Sequence, residues 1–205
     1  MTNISHDLRT PLTAICGYLE LIQNTDDPQK REHYLGIMKE RADLMKQLTE
    51  ELFRYSVIVT DENDEKTENV FVNQLLAESI SSFYPALKSK GIEPKIELTD
   101  KRIERILNKA ALLRVFSNLL NNAVKYSSGD LEIALADTGE ITFTNTAKEL
   151  SSVEVEQLFD RFYTVEAAHN STGLGLSIAR TLVERMGGTI TAVLKDKRLT
   201  IKIIL

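Results

Sequence analysis

The sequence predicts an α+β protein built in two units: a helical hairpin, then a mixed β-sheet with helices on one face. Three observations carry this. Apolar residues recur at helical spacing through the first fifty positions; the run Thr60 to Asn69 (TDENDEKTEN) holds no apolar residue; and beyond it short strand patterns alternate irregularly with helical ones, most strands meeting through hairpins. The apolar-free run is a solvated linker, which divides the chain into units at 1–59 and 68–205 joined by 60–67.

In the first unit Ile4, Leu8, Leu12, Ile15, Leu19 and Ile22 mark one helix, and Asn24 to Pro28 (NTDDP) ends it. From Lys30 onward Leu35, Met38, Ala42, Met45 and Leu52 form the seam of a second helix. Such a hairpin has little interior of its own, so two copies are expected to join as a four-helix bundle, making the protein a homodimer.

In the second unit the pattern predicts a strand at Val70 to Val72, a helix from Asn73 to about Lys88, and strands at Lys95 to Leu98 and Arg102 to Leu107. A helix from Lys109 to Tyr126 follows, then a hairpin of Leu131 to Ala136 and Ile141 to Asn145. A short helix at Val153 to Phe159, a helix from Gly173 to Met186 and a hairpin from Thr189 to Leu205 complete the unit. The expected result is an α/β sandwich and not a Rossmann fold.

Composition excludes several function classes. With 25 basic against 30 acidic side chains the net charge is -5, which leaves no broad cationic face for nucleic acid. The single cysteine, Cys16, rules out an internal disulfide or a CxxC metal site, and its apolar neighbours predict a small packed side chain. No run of about 18 apolar residues exists to span a membrane.

Three groups of residues have the makings of chemistry. His6, in Ser5-His6-Asp7-Leu8-Arg9-Thr10-Pro11-Leu12, lies about 200° around the helix from both Ile4 and Leu8, so it leaves the apolar stripe. An exposed imidazole with Asp7 beside it can act as a nucleophile. It also fits an ordinary surface histidine on a helix bent by Pro11. On the later helix Leu113, Phe116, Leu120 and Val124 form a buried stripe, while Arg114, Asn118, Asn122 and Lys125 recur on the other side. Amide oxygens suit Mg²⁺ and an ammonium suits phosphate, though a solvated helix face reads the same way. In Ser171-Thr172-Gly173-Leu174-Gly175-Leu176-Ser177-Ile178-Ala179 glycines open a helix, allowing close approach of backbone to a phosphate or simply a helix start.

These segments resemble, in order and spacing, the motifs of two-component sensor histidine kinases, and the resemblance covers nearly the whole chain. ISHDLRTPLTAI resembles the H-box of the HisKA class. NLLNNAVKYS resembles the N-box, LFDRFYT (Leu158 to Thr164) the F-box and STGLGLSIA the G2-box of the GHKL-type ATP-binding domain, a Bergerat-type sandwich. The resemblance implies a HisKA-type dimerisation and phosphotransfer unit followed by an ATP-binding catalytic unit. It makes His6 the phosphoacceptor, Asp7 its polarising acid/base partner and Thr10 the residue that positions water when the kinase dephosphorylates its partner. It assigns Asn122 to the metal, Asn118 to metal or phosphate, Lys125 to phosphate, Tyr126 to packing beside the nucleotide and Arg161 to a phosphate contact. Thr172, Gly173, Leu174, Gly175 and Leu176 would line the nucleotide, with Val165 to Thr172 as a mobile lid; His169 in that loop is given no role. ATP and Mg²⁺ are the implied cofactors and a response-regulator receiver domain the implied partner. The implied location is the cytoplasmic portion of a membrane-anchored bacterial protein, with the sensor and membrane segments outside this chain.

The sequence departs from the family at one informative place. Where a D-x-G-x-G motif normally supplies a carboxylate for the adenine amino group, this chain has Asn145-Thr146-Ala147-Lys148-Glu149. Asn145 still offers an acceptor oxygen, at an expected cost on the order of 1 kcal/mol, about fivefold in affinity. Three rivals follow: a nucleotide-binding pseudokinase, a GHKL protein-serine kinase or ATPase, and a purely structural dimerisation module.

Overall fold

The computed structural model describes residues 4–60, 66–148, 150–161, 163 and 173–205. The first unit is a pair of helices, α1 (Ile4–Gln23) and α2 (Pro28–Thr60). Their junction is set by local chemistry. The carboxylate of Asp27 accepts the amide protons of Gln29 and Lys30 at 2.9 and 3.3 Å, capping a helix whose first residue is Pro28. Arg31 donates back to the Thr25 carbonyl at 2.8 Å. Pro11 lies inside α1 without ending it and is buried.

The two helices face each other through Tyr18 and Tyr34, ring centroids 5.6 Å apart, on a side where Pro11 and Leu48 are buried. The expected seam is only partly the packed one. Met38 and Met45 are half-buried, whereas Leu35 and Ala42 are exposed. Cys16, expected to be packed, is exposed. The reason is geometric: a helix that meets one neighbour inside the hairpin and carries further apolar residues has two apolar faces, and the sequence period merges them.

The second unit runs β1 (Glu68–Phe71), α3 (Val72–Ser89), β2 (Glu93–Leu98), β3 (Glu104–Leu107), α4 (Lys109–Tyr126), β4 (Asp130–Leu135), β5 (Ile141–Thr146), α5 (Ser152–Gln157), α6 (Gly175–Arg185), β6 (Thr189–Lys195) and β7 (Arg198–Ile204). Five strands form one mixed sheet in the order β2-β4-β5-β7-β6, with β2 parallel to β4 and the other neighbours antiparallel. β1 and β3 form a separate antiparallel ribbon, an arrangement the run of hairpins did not predict. Val72, read as the end of a strand, opens α3, because its amide bonds to the Ile103 carbonyl at 2.9 Å and turns the chain.

Strict alternation in β5 places Ile141, Phe143 and Asn145 on the buried face and Thr142, Thr144 and Thr146 on the other. The buried face packs against Leu112, Phe116, Leu119 and Leu120 of α4 and Ile178, Leu182 and Val183 of α6, with the Phe116 and Phe143 rings 6.4 Å apart. Each such side chain taken from water contributes roughly 1.5–3 kcal/mol, which makes this layer the main source of the unit's stability. The β6–β7 turn places Asp196 and Lys197 at φ 51° and 60°, the left-handed geometry that a two-residue hairpin needs.

Candidate functional site

α4 is the helix that organises the site. Asn108 caps it, accepting from the Ala111 amide at 2.8 Å, and the apolar stripe Leu112, Val115, Phe116, Leu119, Leu120 and Ala123 fixes its rotation. That rotation leaves Asn118 and Asn122, four residues apart on one face, half-buried at the edge of the core. Lys125 and Tyr126 are exposed at the helix end.

α6 packs beside α4, and its first residue meets Asn118. A side-chain carbon built on Gly175 would stand 3.9 Å from the Asn118 oxygen. Asn118 Nδ2 is buried yet has no hydrogen-bond partner among the described residues. A buried N–H without a partner costs on the order of 1–3 kcal/mol, so it marks a place where a ligand acceptor is expected. Gly173 reaches φ 65° just before α6, a conformation that favours glycine. Leu174 and Leu176, read as lining the nucleotide, are only 1% and 8% exposed, their side chains in the core. Only their main chain can face a ligand, at a helix start where free N–H groups attract anions.

The far end of α4 is tied to the end of β5. The Ser128 amide donates to the Thr146 carbonyl at 3.3 Å, and Ser127 Oγ accepts from the Gly129 and Asp130 amides at 3.1 and 3.0 Å. Asp130 in turn accepts from the Thr146 amide at 2.9 Å and from its hydroxyl at 2.9 Å. These bonds bring Asn145 to the C-terminal half of α4. Asn145 is 6% exposed, and its Nδ2 donates to the Thr146 carbonyl at 3.1 Å. Sequence reading missed this clasp; its trace is the Ser127-Ser128-Gly129-Asp130 turn directly after the helix.

Near the third segment, Phe159 packs against the core and Arg180 lies 5.8 Å from its ring. Arg161 is exposed and makes interactions within the fold. Burial, and then the Glu154 carboxylate, raises the Tyr163 phenol above its ordinary value. The hydrogen bond from Ser151 lowers Glu154. Thr172, Phe162 and the expected lid at 165–172, with His169, lie outside the described residues. So do the side chains of His6 and Asp7, although His6 falls in the first turns of α1; Thr10 is exposed on the same helix.

The donor set is therefore two carboxamides, an ammonium and helix-start amides. Among the described residues no group of three or more His, Cys, Asp or Glu side chains stands ready to cage a metal ion. Amide oxygens beside phosphate-binding groups fit an ion such as Mg²⁺, which keeps several waters and shares its ligands with substrate phosphates.

Comparison with known proteins gives this arrangement a family. Residues 1–58 match the His Kinase A (phospho-acceptor) domain, and residues 108–205 match the histidine kinase-, DNA gyrase B- and HSP90-like ATPase family. The chain is 33% identical to sensor histidine kinase YcbM of Bacillus subtilis over 204 residues, covering 93% of this chain and 65% of that relative's length. In fold it is similar to histidine kinase ThkA solved in complex with response regulator protein TrrA, at TM-score 0.70 and 20% identity over 98% of this chain and 58% of that one. Full-length ShkA in complex with AMPPNP gives TM-score 0.66 and 21% identity over 97% of this chain and 43% of that one. The two motif-bearing units, in this order and on this fold, belong to a two-component sensor histidine kinase.

Proposed function

We propose that the chain binds ATP in the α4–α6 site and phosphorylates its own His6, then passes the phosphoryl group to an aspartate of a response-regulator receiver domain. The observation that best supports this is Asn118, whose buried Nδ2 has no partner among the described residues and whose oxygen meets the glycine-led start of α6. In the first step a His6 ring nitrogen bonds to the γ-phosphorus, the bond from γ-phosphorus to the bridging oxygen breaks, ADP leaves, and the imidazole proton passes to Asp7 or water. In the second the N–P bond breaks as the aspartate oxygen takes the phosphoryl group. Asn122 and Asn118 would hold Mg²⁺, which when bound offsets charge on the phosphates. Lys125 meets phosphate as a point charge, Tyr126 packs beside the nucleotide, Arg161 contacts phosphate, and the main chain at Gly173 to Leu176 closes on the phosphates with Thr172. Thr10 would orient water for dephosphorylation of the partner.

The unit at 1–59 would dimerise and carry the phosphoryl group, with 60–67 as linker and 68–205 as the catalytic unit. Leu12, Leu19 and Leu21, 49%, 43% and 47% exposed in the single chain, support a second copy packing on the hairpin. No described helix is long and apolar enough to cross a membrane, so anchoring would come from segments outside this chain. Asn145 favours a second reading, a nucleotide-binding protein that does not phosphorylate.

Incubation with radiolabelled ATP and Mg²⁺ separates the two. The expected label is acid-labile and alkali-stable, and is abolished by His6→Gln and by Asn122→Ala. ATP binding without any label would establish the second reading instead.

A further inference from the structure

We propose that β6 is a self-pairing edge: the strands Thr189–Lys195 of two copies join antiparallel about a two-fold axis at Ala192 and merge their sheets into one. The contact is separate from the nucleotide site and from the helical hairpin.

A sheet that does not close has two edges, and here they differ. β2 carries devices that discourage a further strand: Pro94 has no amide proton to offer, and Lys95 and Glu97 stand exposed along it, joined by an ion pair at 2.7 Å. β6, at the opposite edge, reads TITAVLK, with no proline and its one charge at the last position. Its strand neighbour is β7, and no other described main chain bonds to it. α5 approaches from the helix side, where Val155 joins the core, and adds no strand to this edge.

The sequence of β6 fits a reversed copy of itself. A two-fold axis through Ala192 pairs all seven residues and keeps like faces together, because partners lie an equal number of positions from the axis. Ala192, the residue that must face itself, is the smallest on the strand. On the helix side, where Ala192 and Leu194 are only half-buried, Ile190 of one copy meets Leu194 of the other. On the open side Thr191 meets Val193, itself 57% exposed, and Thr189 meets Lys195. The charge at Lys195 therefore never faces its own copy, as it would in a parallel arrangement. This self-complementarity names a second copy, and not an unrelated extended peptide, as the occupant.

A seven-residue strand pair covers less than the roughly 800 Å² per partner of a standard interface, so the contact forms only at high local concentration. Added to the two-fold contact proposed for the hairpin, it links dimers into open rows.

The test follows the mass of the full chain by sedimentation from low to hundreds of micromolar, with amide hydrogen exchange on the same samples. The mass is expected to rise at least about twofold above its low-concentration value, while amides of Thr189–Lys195 gain protection and those of Glu93–Leu98 do not. Thr191→Lys combined with Val193→Lys sets ammonium against ammonium across the axis. This pair should hold the mass at its low-concentration value with little change in melting temperature, because both positions are exposed. Thr191→Lys combined with Val193→Glu sets ammonium against carboxylate and should restore the rise. A native mass that stays flat overturns the inference, as does a rise with β6 exchange unchanged, or a double-lysine variant that assembles like the native chain. Equal loss of assembly in both double variants overturns the antiparallel register at Ala192 and the inference with it. Should either variant fail to fold, the native mass and the β6 exchange still decide.

Discussion

At the scale of single residues, two glycines that look alike in the sequence have different jobs. A methyl on Gly188 would run into the Ile204 carbonyl, a contact that only a backbone shift can relieve. Gly188→Ala should therefore lower stability by about 3 kcal/mol, the upper part of the usual overpacking range, as read by denaturant melting. Gly175 meets only Asn118 Oδ1 at 3.9 Å, an ordinary contact, so the fold itself has room for a side chain there. Gly175→Ala should keep or slightly raise the melting temperature, yet weaken Mg·ATP binding about tenfold by filling the space before Asn118. A large fall in melting temperature would show instead that the glycine serves the fold. Of these roles the sequence carried only the chemistry-bearing types. Asn118, Asn122 and Lys125 could be placed on one helix face from their spacing, and α4 was bounded correctly because Asn108 and the apolar period agree. For Leu174 and Leu176 the motif records nearness to a ligand and is silent on which side chain turns into the core; their burial leaves the main chain to meet a ligand. Cys16 was misread because its neighbours pack while it faces outward.

At the scale of elements, α5 shows how a six-residue helix persists: Ser151 and Glu154 form a reciprocal cap, with the Ser151 amide donating to Glu154 at 2.8 Å and the Glu154 amide to Ser151 Oγ at 3.3 Å. The hydrogen bond from Ser151 holds Glu154 below the ordinary carboxylate value. A depressed folded-state value means that the cap's contribution is present above the unfolded carboxyl value and is lost as pH falls through the lower folded one. An NMR titration should place the Glu154 midpoint below that of an exposed glutamate, and Ser151→Ala should bring it back up; an unchanged midpoint in that variant would show that the cap does not set it. Element boundaries were the least legible part of the sequence. β1 begins two residues before the expected Val70, and Val72 belongs to α3, because pairing with β3 and the bond to Ile103 are contacts between residues more than thirty positions apart.

At the scale of the whole molecule, the hairpin carries apolar residues on two sides. One side meets its own partner helix through Tyr18 and Tyr34, and the other leaves Leu12, Leu19 and Leu35 at 49%, 43% and 52% exposure. Burying them against a second copy should contribute on the order of 1–2 kcal/mol per leucine. The double substitution Leu12→Glu with Leu19→Glu should convert a dimer to monomer in sedimentation while the second unit keeps its melting transition; a variant that stays dimeric would move the interface elsewhere. The expectation of a second copy comes from the thin interior of a two-helix hairpin, and the exposed leucines agree with it. The division of each helix into an inner and an outer apolar face was not, since both fall on the same helical period.

The strand order has a consequence for how the second unit is made. β7 (Arg198–Ile204), the final strand in chain order, does not lie at an edge but sits between β5 and β6, pairing Ile141 with Ile203 and Thr189 with Ile204. During synthesis, therefore, β4 and β5 can emerge as a hairpin, yet β6 has no neighbour to join until the polypeptide has been translated almost to Leu205. The nascent sheet therefore stays split in two until Arg198–Ile204 is available, and closure of the core waits on this one strand, which joins the two halves.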